Sequence, residues 1–217
     1  MKLRTVILAG ATGLVGQHIL KGLLADPTVS AVHSLGRRMP ATQHPKLVTH
    51  IVDFAALPPL PPADELYLAL GTTIKVAGSQ AAFRALDYDA NLNVAQAALA
   101  AGVKKAGLVS AMGADARSRI FYNRVKGELE DALTQLPFEG LVIARPSLLI
   151  GDREVLGQPR RSGEVIGEAA ARVLGLLIPA NYKPIPASAV AQALLAAVPS
   201  ANARIVLLSG AMRRNGI

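Results

Sequence analysis

Thr5 to Ala9 is an unbroken apolar run with β-branched members, and it predicts a buried strand. Glycines recur every third residue in the stretch that follows, Gly10-Ala11-Thr12-Gly13-Leu14-Val15-Gly16. Beyond it Val15, Ile19 and Leu23 recur every four residues, the spacing of one helix face. Similar apolar runs at 31–36, 46–53, 65–70, 105–109, 140–144 and 204–208 predict further strands. Between them, Gln80 to Ala101 predicts one helix with Phe83, Leu86, Ala90, Val94 and Ala97 on its apolar stripe and Gly102 as its stop. Another helix opens at Tyr122-Asn123-Arg124-Val125-Lys126 and ends before Pro137. Leu57 to Pro62 contains four prolines, so the crossover there is a rigid loop, its helix short or missing. Beyond Ile150 the rhythm weakens: 151–163 is polar and basic, 164–177 reads as an amphipathic helix and 187–198 as another. Strands alternating with helices predict an α/β, doubly wound parallel sheet with helices on both faces.

Composition narrows the picture. The chain has 217 residues, 51% of them hydrophobic and 18% charged, which suits one well-buried core. Its net charge of +8 is scattered, and the adjacent basic pairs (37–38, 104–105, 160–161, 213–214) form no run. With aromatic residues at 4% and no Trp, stacking platforms for nucleic acid are scarce, so no nucleic-acid partner is expected. Without cysteine there is no disulfide, thiolate or zinc–sulfur chemistry. The four histidines (His18, His33, His44, His50) show no ligand spacing, and no metal is expected. Met1-Lys2-Leu3-Arg4 imitates the start of a signal peptide, but the first strand needs the same residues. No apolar stretch approaches the roughly twenty residues of a membrane span. The expectation is a soluble cytoplasmic protein with no membrane partner and an open oligomeric state.

A glycine turn between a strand and a helix suits a dinucleotide. Gly10 would allow the tight turn, Gly13 would let backbone N–H groups reach a pyrophosphate, and Gly16 would let the helix pack closely. The competing reading is a turn with no ligand. At the end of the second predicted strand the adenosine ribose of a dinucleotide would be met. There the chain has Gly36-Arg37-Arg38 and no carboxylate, and two guanidiniums can bond a 2′-phosphate in bidentate fashion. That favours NADP(H) over NAD(H); the alternative is a solvated surface pair. Asp53 and Phe54 could contact the adenine edge and face, or Asp53 could cap the next turn. Gly71, Thr72 and Thr73, following Leu70, would lie beside the cofactor's central ribose.

Tyr122 and Lys126 stand four apart on a predicted helix and share a face. A free phenol exchanges protons poorly near neutrality, and a neighbouring ammonium favours the phenolate, so the two make a proton-transfer unit. Ser110, at a strand end, could hydrogen-bond a carbonyl oxygen meanwhile. Taken alone, Tyr-x-x-x-Lys reads as a surface helix pair; the upstream dinucleotide turn and the serine at a strand end reverse that order. Leu174, Leu176, Leu177 and Ile178 hint at an apolar wall, and Arg160 and Arg161 at an anion clamp.

With these motifs in this order, the chain resembles the short-chain dehydrogenase/reductase superfamily, and within it the small atypical branch of HIV-Tat-interacting-protein-type oxidoreductases. The shared features are the glycine turn, Gly-Arg-Arg at 36–38, Val-Asp-Phe at 52–54 and Leu-Gly-Thr-Thr at 70–73. They continue with Ser-x-x-Gly-Ala-Asp at 110–115, Tyr-x-x-Val-Lys-Gly-Glu at 122–128 and Arg-Pro-Ser at 145–147. The resemblance implies a single NAD(P)-binding Rossmann domain over 1–217, with 151–186 as a small substrate-side lid. It implies NADP(H) as cofactor, Ser110, Tyr122 and Lys126 as the catalytic set, and Arg145 and Pro146 near the nicotinamide. The activity expected is hydride transfer to or from a small carbonyl or alcohol. The rival is an NADP(H)-binding redox sensor or scaffold that acts through protein partners. The chain departs from the pattern at Asp87, where many extended members carry an asparagine; Asn91 and Asn93 lie one and two turns on.

Overall fold

The computed structural model describes residues 3–150 and 179–214. Every strand expected from the hydrophobic pattern forms. These are β1 (Arg4–Ala9), β2 (Val29–Gly36), β3 (Leu47–Ile51), β4 (Glu65–Leu68), β5 (Lys105–Val109), β6 (Gly140–Arg145) and, last in the chain, β9 (Arg204–Leu208). They make one sheet in the order β3-β2-β1-β4-β5-β6-β9, with every pairing parallel. The order reverses between β1 and β4, so the loops leaving their carboxyl ends diverge and open a crevice.

Side chains alternate across each strand, so the sheet has two apolar faces. Val6 and Leu8 of β1 pack beneath α1 (Gly16–Ala25), whose Ile19, Leu20 and Leu23 are buried. Ile7 and Ala9 point the other way, toward helices described below. No helix forms between β3 and β4, as the prolines require; Leu57, Leu60 and Ala63 of that loop pack on the second face instead.

The stretch from Gln80 to Ala101 departs from the expected single helix. After a short α2 (Ile74–Ala77), the chain forms α3 (Gln80–Arg84), a π-helical segment at Ala85–Ala90, and α4 (Asn91–Ala100). A π turn takes about one more residue than an α turn, which rotates the inward face. Phe83, Ala90 and Val94 are buried as expected, but Leu86 and Ala97 are only half-buried, while the polar Asp87 and Asn91 are fully enclosed. The Asn91 amide spans the irregularity, donating to the carbonyls of Asp87 (3.1 Å), Leu86 (3.3 Å) and Leu70 (3.4 Å). Then α5 (Phe121–Thr134) covers the second face beside α4, with Leu129 and Leu133 buried.

A two-stranded parallel pair, β7 (Leu149–Ile150) and β8 (Ile185–Pro186), brackets the stretch outside the described residues. α6 (Ala187–Ala197) then returns to the first face against α1, and α7 (Ser209–Arg214) closes the described chain. The helix expected at 164–177, the apolar wall at 174–178 and the Arg160–Arg161 clamp all fall outside the described residues.

Candidate active site

The glycine turn lies at the mouth of the crevice. Gly10 has φ +92°, and a Cβ there would stand 2.6 Å from the backbone carbonyl of Ala69. The turn leaving β1 thus lies directly on the chain leaving β4. A Cβ at Gly16 would run into the carbonyl of Gly10, so the missing side chain is what lets α1 start this close. No side chain caps α1 at Val15, but the Gln17 and His18 N–H groups bond the carbonyls of Gly13 and Val15, each at 3.0 Å, so among the described residues the Gly16 N–H is the first-turn donor left for a ligand. Ala11, Leu14 and Val15 bury their side chains in the core, so only their backbones face the crevice.

Arg37 and Arg38 are exposed at the end of β2 and form no ion pair among the described residues. The Asp53 carboxylate accepts the Ala55 N–H at 2.9 Å, the turn-capping geometry. Phe54 is 7% exposed and packed in the core, its carbonyl held by the Asn93 amide at 2.9 Å. Leu70 is buried, and Thr73 is spent on capping α2, its hydroxyl accepting the Val76 N–H.

Three residues of α5, Tyr122, Lys126 and Glu130, repeat every four positions on one polar edge, Lys126 and Glu130 buried and Tyr122 half-buried. The Tyr122 ring lies 5.4 Å from that of Phe83, which also packs edge-on against Phe121. Lys126 is almost wholly buried, and its ammonium lies 2.7 Å from Oδ1 of Asp87 on the π segment. The other oxygen of Asp87 accepts the Thr72 N–H at 2.9 Å, tying the pair to the chain leaving β4. A Cβ on Gly71 would stand 3.5 Å from Asp87 Oδ1 and 3.8 Å from the ammonium, so only the absent side chain leaves that flank open. Burial works against the charge on Lys126, yet Asp87, Tyr122 and Glu130 together raise its pKa above that of a free lysine.

Ser110 follows β5 and is buried, its hydroxyl donating to Glu130 Oε1 at 2.5 Å. Glu130 is fully enclosed and takes both Nε (3.0 Å) and Nη2 (2.6 Å) of Arg145, at the end of β6. The Glu130 hydrogen bond and charge, against some burial, raise the Arg145 pKa. Ser110 therefore gives its proton to this pair. The Pro146 carbonyl accepts the Met112 N–H at 2.8 Å, holding the ends of β5 and β6 together.

The structure thus joins Tyr122 and Lys126 on one face and adds Asp87 and Glu130, two carboxylates that sequence reasoning did not place in the site. Glu130 continues the four-residue spacing of the other two, and that spacing was the available signal. Asp87 was visible in the sequence as the departure from the asparagine that many extended family members carry at that position, without a role assigned to its carboxylate.

No protein-family model matches the chain. The protein named "fmp52, mitochondrial" of Emericella nidulans is 40% identical over 180 residues, which cover 78% of this chain and 76% of the relative. Among solved structures, the Bordetella bronchiseptica enzyme WbmH in complex with NAD+ superposes with TM-score 0.70. It is 16% identical, over 98% of this chain and 78% of that one. An oxidoreductase of the short-chain dehydrogenase/reductase family from Burkholderia thailandensis gives TM-score 0.66 at 18% identity, over 98% and 94%. The chain therefore shares the Rossmann-like fold of these proteins. One expectation is overturned. The cytoplasmic assignment conflicts with the curated relatives, which are named mitochondrial in Emericella nidulans, Coccidioides immitis and Candida albicans alike. That assignment rested on the lack of an apolar span, and such a lack carries no information about compartment.

Proposed function

The chain belongs to the family of the fungal Fmp52 proteins, and from that membership and the site's geometry we propose an NADP(H)-dependent oxidoreductase acting on a small carbonyl or alcohol. Within the short-chain dehydrogenase/reductases, the reading places it in the atypical, HIV-Tat-interacting-protein-type branch. The observation that carries it is the buried Lys126 ammonium, one helical turn from Tyr122 and held at the carboxyl end of β4.

The residues present fit a dinucleotide. The start of α1 offers the Gly16 N–H and partial positive charge to a pyrophosphate. The backbone from Gly10 to Gly16 would cradle it, Arg37 and Arg38 would take a 2′-phosphate, and the open flank at Gly71 would admit a ribose to Lys126. Leu70 to Thr73 would line that ribose, Asp53 and Phe54 the adenine side, and Arg145 and Pro146 the nicotinamide end. When bound, the nicotinamide supplies or accepts the hydride. Tyr122 holds and moves the proton at the substrate oxygen, and Lys126, one helical turn away, holds a ribose hydroxyl. Ser110 polarises the substrate oxygen once its hydroxyl leaves Glu130. Residues 151–186, as a substrate-side lid, complete the single-domain reading.

The test is a titration with NADPH and, separately, NADH, followed by nicotinamide fluorescence. Tight NADPH binding that weakens about tenfold or more in Arg37→Ala/Arg38→Ala, with NADH binding unaffected, is expected. No binding of either nucleotide overturns the reading. A carbonyl panel with Tyr122→Phe as control then tests turnover. One observation favours a second reading, an NADP(H)-binding sensor with little turnover: the Ser110 proton is already committed to Glu130. NADPH binding with no turnover across the panel selects it.

A further inference from the structure

Lys126 is one of the few charged side chains buried in this core. The groups that face it are Asp87 from the π segment and Tyr122 and Glu130 from its own helix. Glu130 is occupied by Arg145 and Ser110, which leaves Asp87 as the carboxylate in direct contact. Asp87 is itself fixed twice. Its second oxygen is bonded to the Thr72 amide, and its carbonyl to Asn91. It reaches inward at all because the π segment rotates it off the course of a regular helix.

Resting on the dehydrogenase reading above, we propose that Asp87 is a positioning residue that holds the Lys126 ammonium by direct ion pairing, in the orientation that serves Tyr122 and the ribose. An amine buried this deeply would tend to shed its proton, because low dielectric disfavours the charged form. A carboxylate at 2.7 Å reverses that tendency and fixes where the charge stands. Both oxygens of Asp87 are engaged, one by the Lys126 ammonium and one by the Thr72 amide, so neither the carboxylate nor the charge it holds is free to turn elsewhere.

The experiment follows the Lys126 side chain by NMR in protein labelled with 13C at lysine Cε, its signal assigned with Lys126→Arg, alongside NADPH titration of the same samples. In the native protein Lys126 is expected to stay protonated above the ordinary lysine value of 10.5. In Asp87→Asn it is expected to titrate at lower pH than in the native protein, while NADPH affinity falls about tenfold. Asp87→Glu, which restores the charge, recovers the high titration. Native-like Lys126 titration and NADPH affinity in Asp87→Asn overturn the proposal, and so does a native Lys126 that titrates below 10.5. The second result needs no variant, so a poorly folding Asp87→Asn still leaves a decision. Failure of the dehydrogenase reading looks different: the native protein then binds neither NADPH nor NADH, whatever Lys126 does.

Discussion

A methyl group added at Gly16 would collide with the carbonyl of Gly10, and one at Gly71 would meet only ordinary contacts 3.5 and 3.8 Å away. The same substitution therefore separates folding from binding. Gly16→Ala presses on backbone that has nowhere to move, and a loss of about 1–3 kcal/mol is expected by denaturant unfolding. Gly71→Ala is expected to change stability by no more than about 0.5 kcal/mol. Its methyl nevertheless covers the open flank of the Lys126–Asp87 pair, so NADPH affinity should fall in fluorescence titration. Ser110→Ala removes one buried hydrogen bond but leaves Glu130 with Arg145, so a cost of about 1 kcal/mol is expected. On the dehydrogenase reading that variant also loses turnover with its NADPH affinity kept. On the sensor reading binding and partner signalling are unchanged.

Strands and glycine turn were legible because unbroken apolar runs mark strands buried on both faces and a four-residue spacing marks the helix face that follows the turn. Thr5 to Ala9 and Lys105 to Val109 needed nothing else. The π segment was not legible: no residue type marks it, and a strict four-residue stripe through Leu86 and Ala97 runs past the rotation that carries Asp87 and Asn91 inward. The cluster around Ser110 escaped for a different reason, since its members come from β5, α5 and β6 and meet only in the folded sheet. At the edge of that sheet, β2 and β3 bring His33 and His50 together, ring nitrogens 3.0 Å apart. Burial, then the neighbouring His50, lowers the His33 pKa, and burial, then Lys21, lowers that of His18. An unfolded chain takes up these protons near 6.5 while the folded one resists them, so stability is full above that pH and falls below it. Thermal unfolding between pH 8 and pH 5 should show a falling Tm, and His33→Gln should flatten the slope.

Across the whole molecule the two edges of the sheet have opposite work. At the amino-terminal edge Arg4 joins Glu65, Asp26 and Thr28, with the Tyr67 hydroxyl donating to Glu65, a network whose charges are spent on one another. At the carboxyl edge lie the glycine turn, the Asp87–Lys126 pair and the Ser110–Glu130–Arg145 cluster. Beyond them β7 and β8 pair side by side in parallel, so the chain leaving at Ile150 is met again at Ile185. Replacing residues 152–178 with a short Gly/Ser linker should therefore preserve the cooperative unfolding transition and NADPH binding. A linker variant that unfolds, or that loses NADPH, would show the stretch to be part of the nucleotide half. Departure and return side by side make a natural splice point. Recombination could exchange what lies between them for a stretch of another length without asking the seven-stranded sheet to be specified anew. Descendants of one ancestor could in that way diverge in what they accept while inheriting the same nucleotide-facing half.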